Sequence, residues 1–134
     1  MRALELRIGN LVLLNNPKYR PAETGKVHVI DDIRPKDAVV FELDKLPYSV
    51  CYGQFLEYIE PLPITTDWLI RFGFEFVNEV GGWCNKNHIV YQLDVGWEFH
   101  PFCTNDKHLQ LKINYMHQLQ NLEYVLRGED FKFN

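Results

Sequence analysis

Between residues 8 and 60 the chain alternates short apolar stretches with polar or proline-bearing breaks. Asn10 to Leu14, Gly25 to Ile30, Ala38 to Leu43 and about Ser49 to Ile59 are rich in Val, Leu, Ile, Phe and Tyr, and each predicts a strand. The breaks run from Asn15-Asn16-Pro17 through Arg20-Pro21, then Asp31 to Asp37, then Asp44 to Pro47. Val27 and Val29 sit among Lys26, His28 and Ile30, a pattern suited to a sheet with one buried face. Several short, closely spaced strands predict a curved sheet or a small SH3-like barrel.

At Pro61 to Pro63 the pattern changes, because two prolines around Leu62 hold the preceding residues extended. Thr65 or Thr66 is placed to cap a helix with Asp67 in its first turn. Trp68, Leu69 and Phe72 form its apolar stripe, and Gly73 ends it in a left-handed cap. Phe74 and Phe76 then lead through the Gly81-Gly82 turn to a hairpin around Asn85-Lys86-Asn87, with His88 to Val95 and Trp97 to Cys103 as further strands. Leu109, Leu111 and Ile113 alternate with Gln110 and Lys112 and predict the last strand.

From about Tyr115 to Arg127, Met116, Leu119, Leu122, Val125 and Leu126 recur at helical spacing, with Gly128 placed to end the helix. The opposite face carries His117, Gln118, Gln120, Asn121 and Glu123, which predicts exposure to solvent. The expected fold is therefore α+β: an N-terminal curved sheet or small SH3-like barrel, a short helix, an antiparallel sheet and a C-terminal helix packed on it. With 134 residues, the chain is expected to form a single domain over residues 1 to 134, with a β-rich part over 1 to 60 and an α+β part over 61 to 134 sharing one core.

The C-terminal string YMHQLQNLEYVLRGED, beginning at Tyr115, resembles the ending "VHQLQNLYFALTGEEL" of small proteins encoded by gut Bacteroidota genomes and their phages and prophages. The opening of that family, "LRIGN" before a valine-rich strand, is similar to Leu6 to Asn10 and Leu11 to Leu14. Its centre, "I.PIPLTEEWL..LGF", is similar to Ile59 to Phe74. The family is uncharacterised. The resemblance implies a phage or mobile-element origin and a shared fold, and transfers no catalytic residue.

Charge narrows the functions. Fourteen Lys plus Arg against 18 Asp plus Glu leave a net charge of −4, and no cationic cluster offers a grip on several phosphates. Arg2, Arg7, Lys18, Arg20 and Lys26 nevertheless concentrate near the start. The longest apolar runs, Leu11 to Leu14 and Ala38 to Phe41, are far below the roughly 20 residues of a membrane span, and no secretory apolar stretch opens the chain, so a cytoplasmic setting is expected. Three cysteines, Cys51, Cys84 and Cys103, are odd in number and are expected to be reduced.

The sharpest chemical candidate is Cys84-x3-His88 followed by His100-x2-Cys103, two donor pairs at a spacing a hairpin could fold into a tetrahedral zinc site, with His108 as a substitute ligand. Against it stand the lack of a C-x2-C knuckle and the habit of small reduced cysteines to serve as packing. Pairing a cysteine with His88, His100 or His117 would make a nucleophile, but no catalytic motif supports an enzyme. Tyr48, Tyr52, Phe55 and Tyr58 are a candidate stacking platform for nucleic acid. On the C-terminal helix, Tyr115, His117, Gln118, Gln120, Asn121 and Tyr124 are the candidate interaction residues, with Gln118 or Asn121 alternatively satisfying backbone groups. The expected function is a non-enzymatic protein-interaction module without cofactor, acting on a host or phage protein. The alternative is a nucleic-acid-binding accessory protein using the N-terminal β-rich part.

Overall fold

A computed structural model of the chain describes residues 5–101 and 110–127. The described residues form two antiparallel sheets and two α-helices, and the chain divides into two compact units, Met1–Leu62 and Pro63–Asn134. Among the described residues no helix is long and apolar enough to cross a membrane.

The first unit is built on β1 (Leu11–Leu14), β2 (Val27–Ile33), β3 (Asp37–Glu42), β4 (Tyr52–Phe55) and β5 (Ile59–Pro61). All neighbours are antiparallel in the order β4-β3-β2-β1-β5, so that the last strand returns beside the first; of the two expected forms, this is the open curved sheet. The core face carries Val12, Ile30, Ala38, Val40 and Ile59, joined by Leu6 and Leu56. Two local features depart from the expected strands. β2 does not stop at Ile30 but continues to Ile33. The register shifts between Ile30 and Asp32, and this bulge absorbs the exposed Asp31-Asp32 pair while turning Ile33 back onto the core side opposite Ala38.

The stretch expected as one strand from Ser49 to Ile59 divides into β4 and β5, with a 3₁₀ turn at Leu56–Tyr58. Parity explains the break. Gln54, Leu56 and Ile59 are all buried, and a continuous strand would turn Leu56 and Ile59 to opposite faces. One turn of 3₁₀ helix shifts the phase and lets both enter the core.

The second unit opens with α1 (Thr66–Arg71). The Thr65 hydroxyl accepts from Trp68 N at 3.3 Å, so the first of the two candidate caps is the one used. At the other end Gly73 takes φ +84°, its N–H bonds Ile70 O and Phe74 N–H bonds Leu69 O, a Schellman arrangement whose hydrophobic partners Leu69 and Phe74 are both buried. There follow β6 (Glu75–Val77), β7 (Gly82–Cys84), β8 (His88–Gln92), β9 (Trp97–Pro101) and β10 (Leu111–Ile113), a meander in the order β10-β9-β8-β7-β6. Of the expected strand from Trp97 to Cys103, the last two residues lie outside the described residues, as do Leu109 and Gly128. α2 (Met116–Arg127) closes the unit.

The buried face of α2 differs from the one its apolar residues predict. Met116, Leu119 and Glu123 are fully buried and His117 and Gln120 nearly so, whereas Val125 is 78% exposed and Leu126 is exposed as well. The face expected in solvent thus supplies three buried polar residues. The reason lies in the sheet beneath it, which offers a partner for Glu123.

Candidate functional site

That partner is His88. In the β7–β8 and β8–β9 ladders Cys84 is opposite Ile89, which is opposite His100, so Cys84 and His100 lie on one face of the sheet and His88 on the other. His88 Nδ1 meets Glu123 Oε1 at 2.5 Å, and Asn85 Nδ2 donates to the same oxygen at 3.0 Å. The Asn85 Oδ1 in turn accepts from the backbone N–H groups of Asn87 and His88, shaping the hairpin turn. His88 also packs on Phe99, with ring centroids 4.8 Å apart.

The three described members of the Cys84, His88, His100, Cys103 set therefore do not converge, and Cys103, like His108, lies outside the described residues. His100 Nε2 is engaged by Glu98 Oε1 at 2.5 Å, with Tyr91 edge-on to its ring. Burial pushes the Cys84 thiol above its ordinary value, the opposite of what an activated nucleophile needs. Among the described residues no cluster of three or more His, Cys, Asp or Glu side chains is arranged to hold a metal ion.

The helix candidates are likewise redistributed. Gln118 Oε1 accepts from the backbone N–H groups of Asn114 and Tyr115 at 2.8 and 3.1 Å, so it back-bonds the start of its own helix in the manner of a capping box. His117 stacks on Tyr115 and is buried, and Gln120 is buried. A docking face made of His117 and Gln120 is therefore corrected: these side chains face protein. Asn121 is half-buried and Tyr124 is exposed.

Among the described residues, two clefts lie on the first unit, where the β1–β2 connection, residues 15–26, lies against β4. Two side-chain contacts hold it there. Asn16 Nδ2 donates to Gln54 Oε1 at 2.8 Å, both residues buried, and the Arg20 guanidinium stacks 4.0 Å from the centroid of the Tyr52 ring. The loop's own shape comes from Asn16 N–H bonding Thr24 Oγ1 and from Gly25, whose φ of +83° turns the chain into β2.

On one side of this loop lies a cleft of about 350 Å³ lined by Arg20, Glu23, Glu42, Lys45, Tyr48, Val50 and Tyr52. Its wall is backed by a polar pair, the buried His28 and the half-buried Tyr52. His28 Nδ1 donates to Lys26 O at 2.9 Å, which leaves Nε2 to accept from the Tyr52 hydroxyl at 2.5 Å. Burial holds the His28 pKa below its ordinary value, and burial with the nearby Glu23 pushes Tyr52 up to about 12. Every cation here has a carboxylate: Arg20 with Glu23, and both Lys26 and Lys45 with Glu42. Burial raises the Glu42 pKa, but Lys45 and Lys26 outweigh it and keep the carboxyl below its usual value.

On the other side lies a cleft of about 340 Å³ lined by Asn16, Tyr19, Asp37, Gly53, Gln54, Phe55 and Tyr58. Tyr19 is 65% and Phe55 58% exposed, a large amount of aromatic surface to leave in water beside a buried amide pair. Of the four aromatics singled out in the sequence, Phe55 and Tyr58 line this cleft and Tyr48 and Tyr52 the other. For Tyr19, Asn16 and Gln54 the only sequence signal is an aromatic inside a polar loop, which carries no information about β4.

Comparison of the chain with family models, with curated proteins and with solved structures returned no match.

Proposed function

We propose that this protein is a non-enzymatic protein-interaction module whose N-terminal unit holds an extended segment of a partner protein in the cleft beside β4. The observation that carries this reading is the exposed aromatic surface of Tyr19 and Phe55 around the buried Asn16–Gln54 amide pair. Recognition surfaces for extended peptides combine such aromatic walls with a few fixed polar groups. The resemblance of the opening, centre and C-terminal string to proteins of Bacteroidota phages and prophages supports a host or phage protein as the partner and the host cytoplasm as the setting.

A nucleic-acid-binding accessory role is the second reading, favoured by Arg20 stacked on Tyr52 in the neighbouring cleft. It ranks below the first because the cations of that cleft are matched by Glu23 and Glu42, leaving little net charge for phosphates.

The test is capture from host lysate after nuclease treatment with the wild-type chain and the Tyr19→Ala/Phe55→Ala variant side by side. A protein retained by the first and lost by the second is the expected result. Equal recovery by both, or recovery of nucleic acid alone, would overturn the reading.

A further inference from the structure

The aromatic cleft lies along a free strand edge, which, on the interaction reading above, narrows what the cleft accepts. β4 ends its sheet, in the order β4-β3-β2-β1-β5. Two hydrogen bonds fix which of its main-chain groups face β3. Leu56 N–H donates to Lys36 O, and on the far side of β3 Arg34 N–H donates to Asp37 O, so the main chain of Lys36, Ala38 and Val40 addresses β4 and that of Asp37 and Val39 addresses β2. Gln54 and Tyr52, opposite Ala38 and Val40, therefore bond β3, and the N–H and C=O groups of Gly53 and Phe55 point away from the sheet. Of these four groups only Gly53 O has a partner among the described residues, the Gln54 side-chain amide at 3.0 Å, and a carbonyl accepts two bonds.

Sheets ordinarily blunt such an edge with charge, proline or shortness. The other terminal strands among the described residues do so: β5 carries Glu60 and Pro61, β6 Glu75 and β10 Lys112, and each is three residues long. β4 is four residues long and has neither a charge nor a proline. The cleft of about 340 Å³ sits on this edge, since Gln54 and Phe55 point to opposite faces of the strand and yet both line it, and Gly53 lines it with main chain alone. Asn16 and Tyr19 of the β1–β2 connection wall it from the other side. A single extended chain fits such a slot, whereas a second copy brings its own residues 15–26 against its own β4.

We propose that the partner segment enters this cleft as an added β-strand, its main chain bonded to the outward N–H and C=O groups of Gly53 and Phe55. Main-chain bonds of this kind supply affinity, and alternate side chains supply selectivity. The segment is free of proline at the bonding positions and carries a large apolar or aromatic side chain across from Gly53, where open space lies beside the exposed Phe55 ring.

The experiment is a titration of the isotope-labelled full chain, followed by NMR, with four probes of equal length: a capped peptide alternating Thr and Phe with Lys at both ends, the same peptide N-methylated at every Thr, the same peptide N-methylated at every Phe, and an oligothymidine. The parent peptide is expected to shift the backbone amides of Gly53 and Phe55 saturably. Alternate amides of a strand face opposite neighbours, so one methylated peptide is expected to bind like the parent and the other to leave these amides unmoved. Phe55 has φ −62°, the angle proline imposes, and its N–H points away from β3, so Phe55→Pro removes an outward donor and keeps the ladder. With folding checked by thermal melting, Phe55→Pro is expected to bind the parent peptide about tenfold or more weakly than Phe55→Ala, as loss of a hydrogen bond that leaves a carbonyl unpaired does. Equal binding of both methylated peptides, equal binding by both variants, or no shift from any probe overturns strand addition and leaves the interaction reading to the capture experiment. Shifts of the same amides on dilution of the chain alone assign the edge to a second copy and overturn strand addition by a partner. Shifts from oligothymidine with none from the peptides overturn both.

Discussion

His88 and Glu123 are 35 residues apart and each 1% exposed, and they meet Nδ1 to Oε1 at 2.5 Å. This contact fixes α2 over β8 and determines which face of the helix is buried. Removing Glu123 takes the acceptor from both His88 Nδ1 and Asn85 Nδ2 in a buried site, and removing His88 takes one of its close partners from the buried Glu123 carboxylate. Glu123→Ala and His88→Ala are each expected to cost about 3–5 kcal/mol, and the double variant far less than the sum. Urea unfolding of the four proteins of the cycle measures this, and strict additivity would show that the two side chains do not act as a pair.

The His28–Tyr52 pair predicts a stability profile that falls on both sides of neutrality. His28 has a folded pKa below its unfolded value of about 6.5, so its contribution is complete above that pH and is lost as the pH drops below it. Tyr52 has its pKa raised to about 12, so its contribution is complete below about 10 and is lost as the pH rises from 10 towards 12. Tyr52→Phe is expected to abolish the alkaline loss and to lower stability at pH 7 by about 1–3 kcal/mol, because His28 Nε2 loses its donor. Chemical denaturation across the pH range reads both limbs.

Two strand glycines are expected to respond in opposite ways to alanine. A Cβ on Gly82 would stand 2.9 Å from Ile89 Cγ2 and from the Tyr91 ring, closer than atoms pack, so Gly82→Ala should cost about 1–3 kcal/mol. A Cβ on Gly53 meets nothing within 4 Å, and Gly53→Ala should leave stability unchanged or slightly raised while narrowing the aromatic cleft. Melting temperatures of the two variants separate these outcomes.

Gln118→Ala tests a reassigned residue. Since its side chain holds the backbone N–H groups of Asn114 and Tyr115, the loss should appear as about 0.5–2 kcal/mol of stability and as faster amide exchange at the start of α2. Partner capture by the folded protein should be unchanged.

The features legible in the sequence are those whose cause lies within a few residues. Thr65 three residues before Trp68, and Gly73 just past the last turn, mark both ends of α1 because capping is a local hydrogen-bond problem. The Asn85-Lys86-Asn87 turn and the alternation of Val27 and Val29 work by the same short-range geometry. Where the structure departs from the local pattern, the deciding interaction is distant. Ser49 to Ile59 looks uniformly strand-like, and only the need to bury both Leu56 and Ile59 breaks it.

By itself, then, the sequence determined the α+β character, the order of strands and helices and the ends of α1, since backbone propensity, proline and glycine restrictions and side-chain periodicity act along the chain. Tertiary structure alone decided that Glu123 turns inward to His88, that Cys84 and His100 face away from His88, and that Asn16 reaches Gln54 across 38 residues to floor a cleft. The physical reason is register. Which side chains meet across a sheet depends on how strands slide and pair over long separations, and a one-residue shift exchanges every inward residue for its outward neighbour.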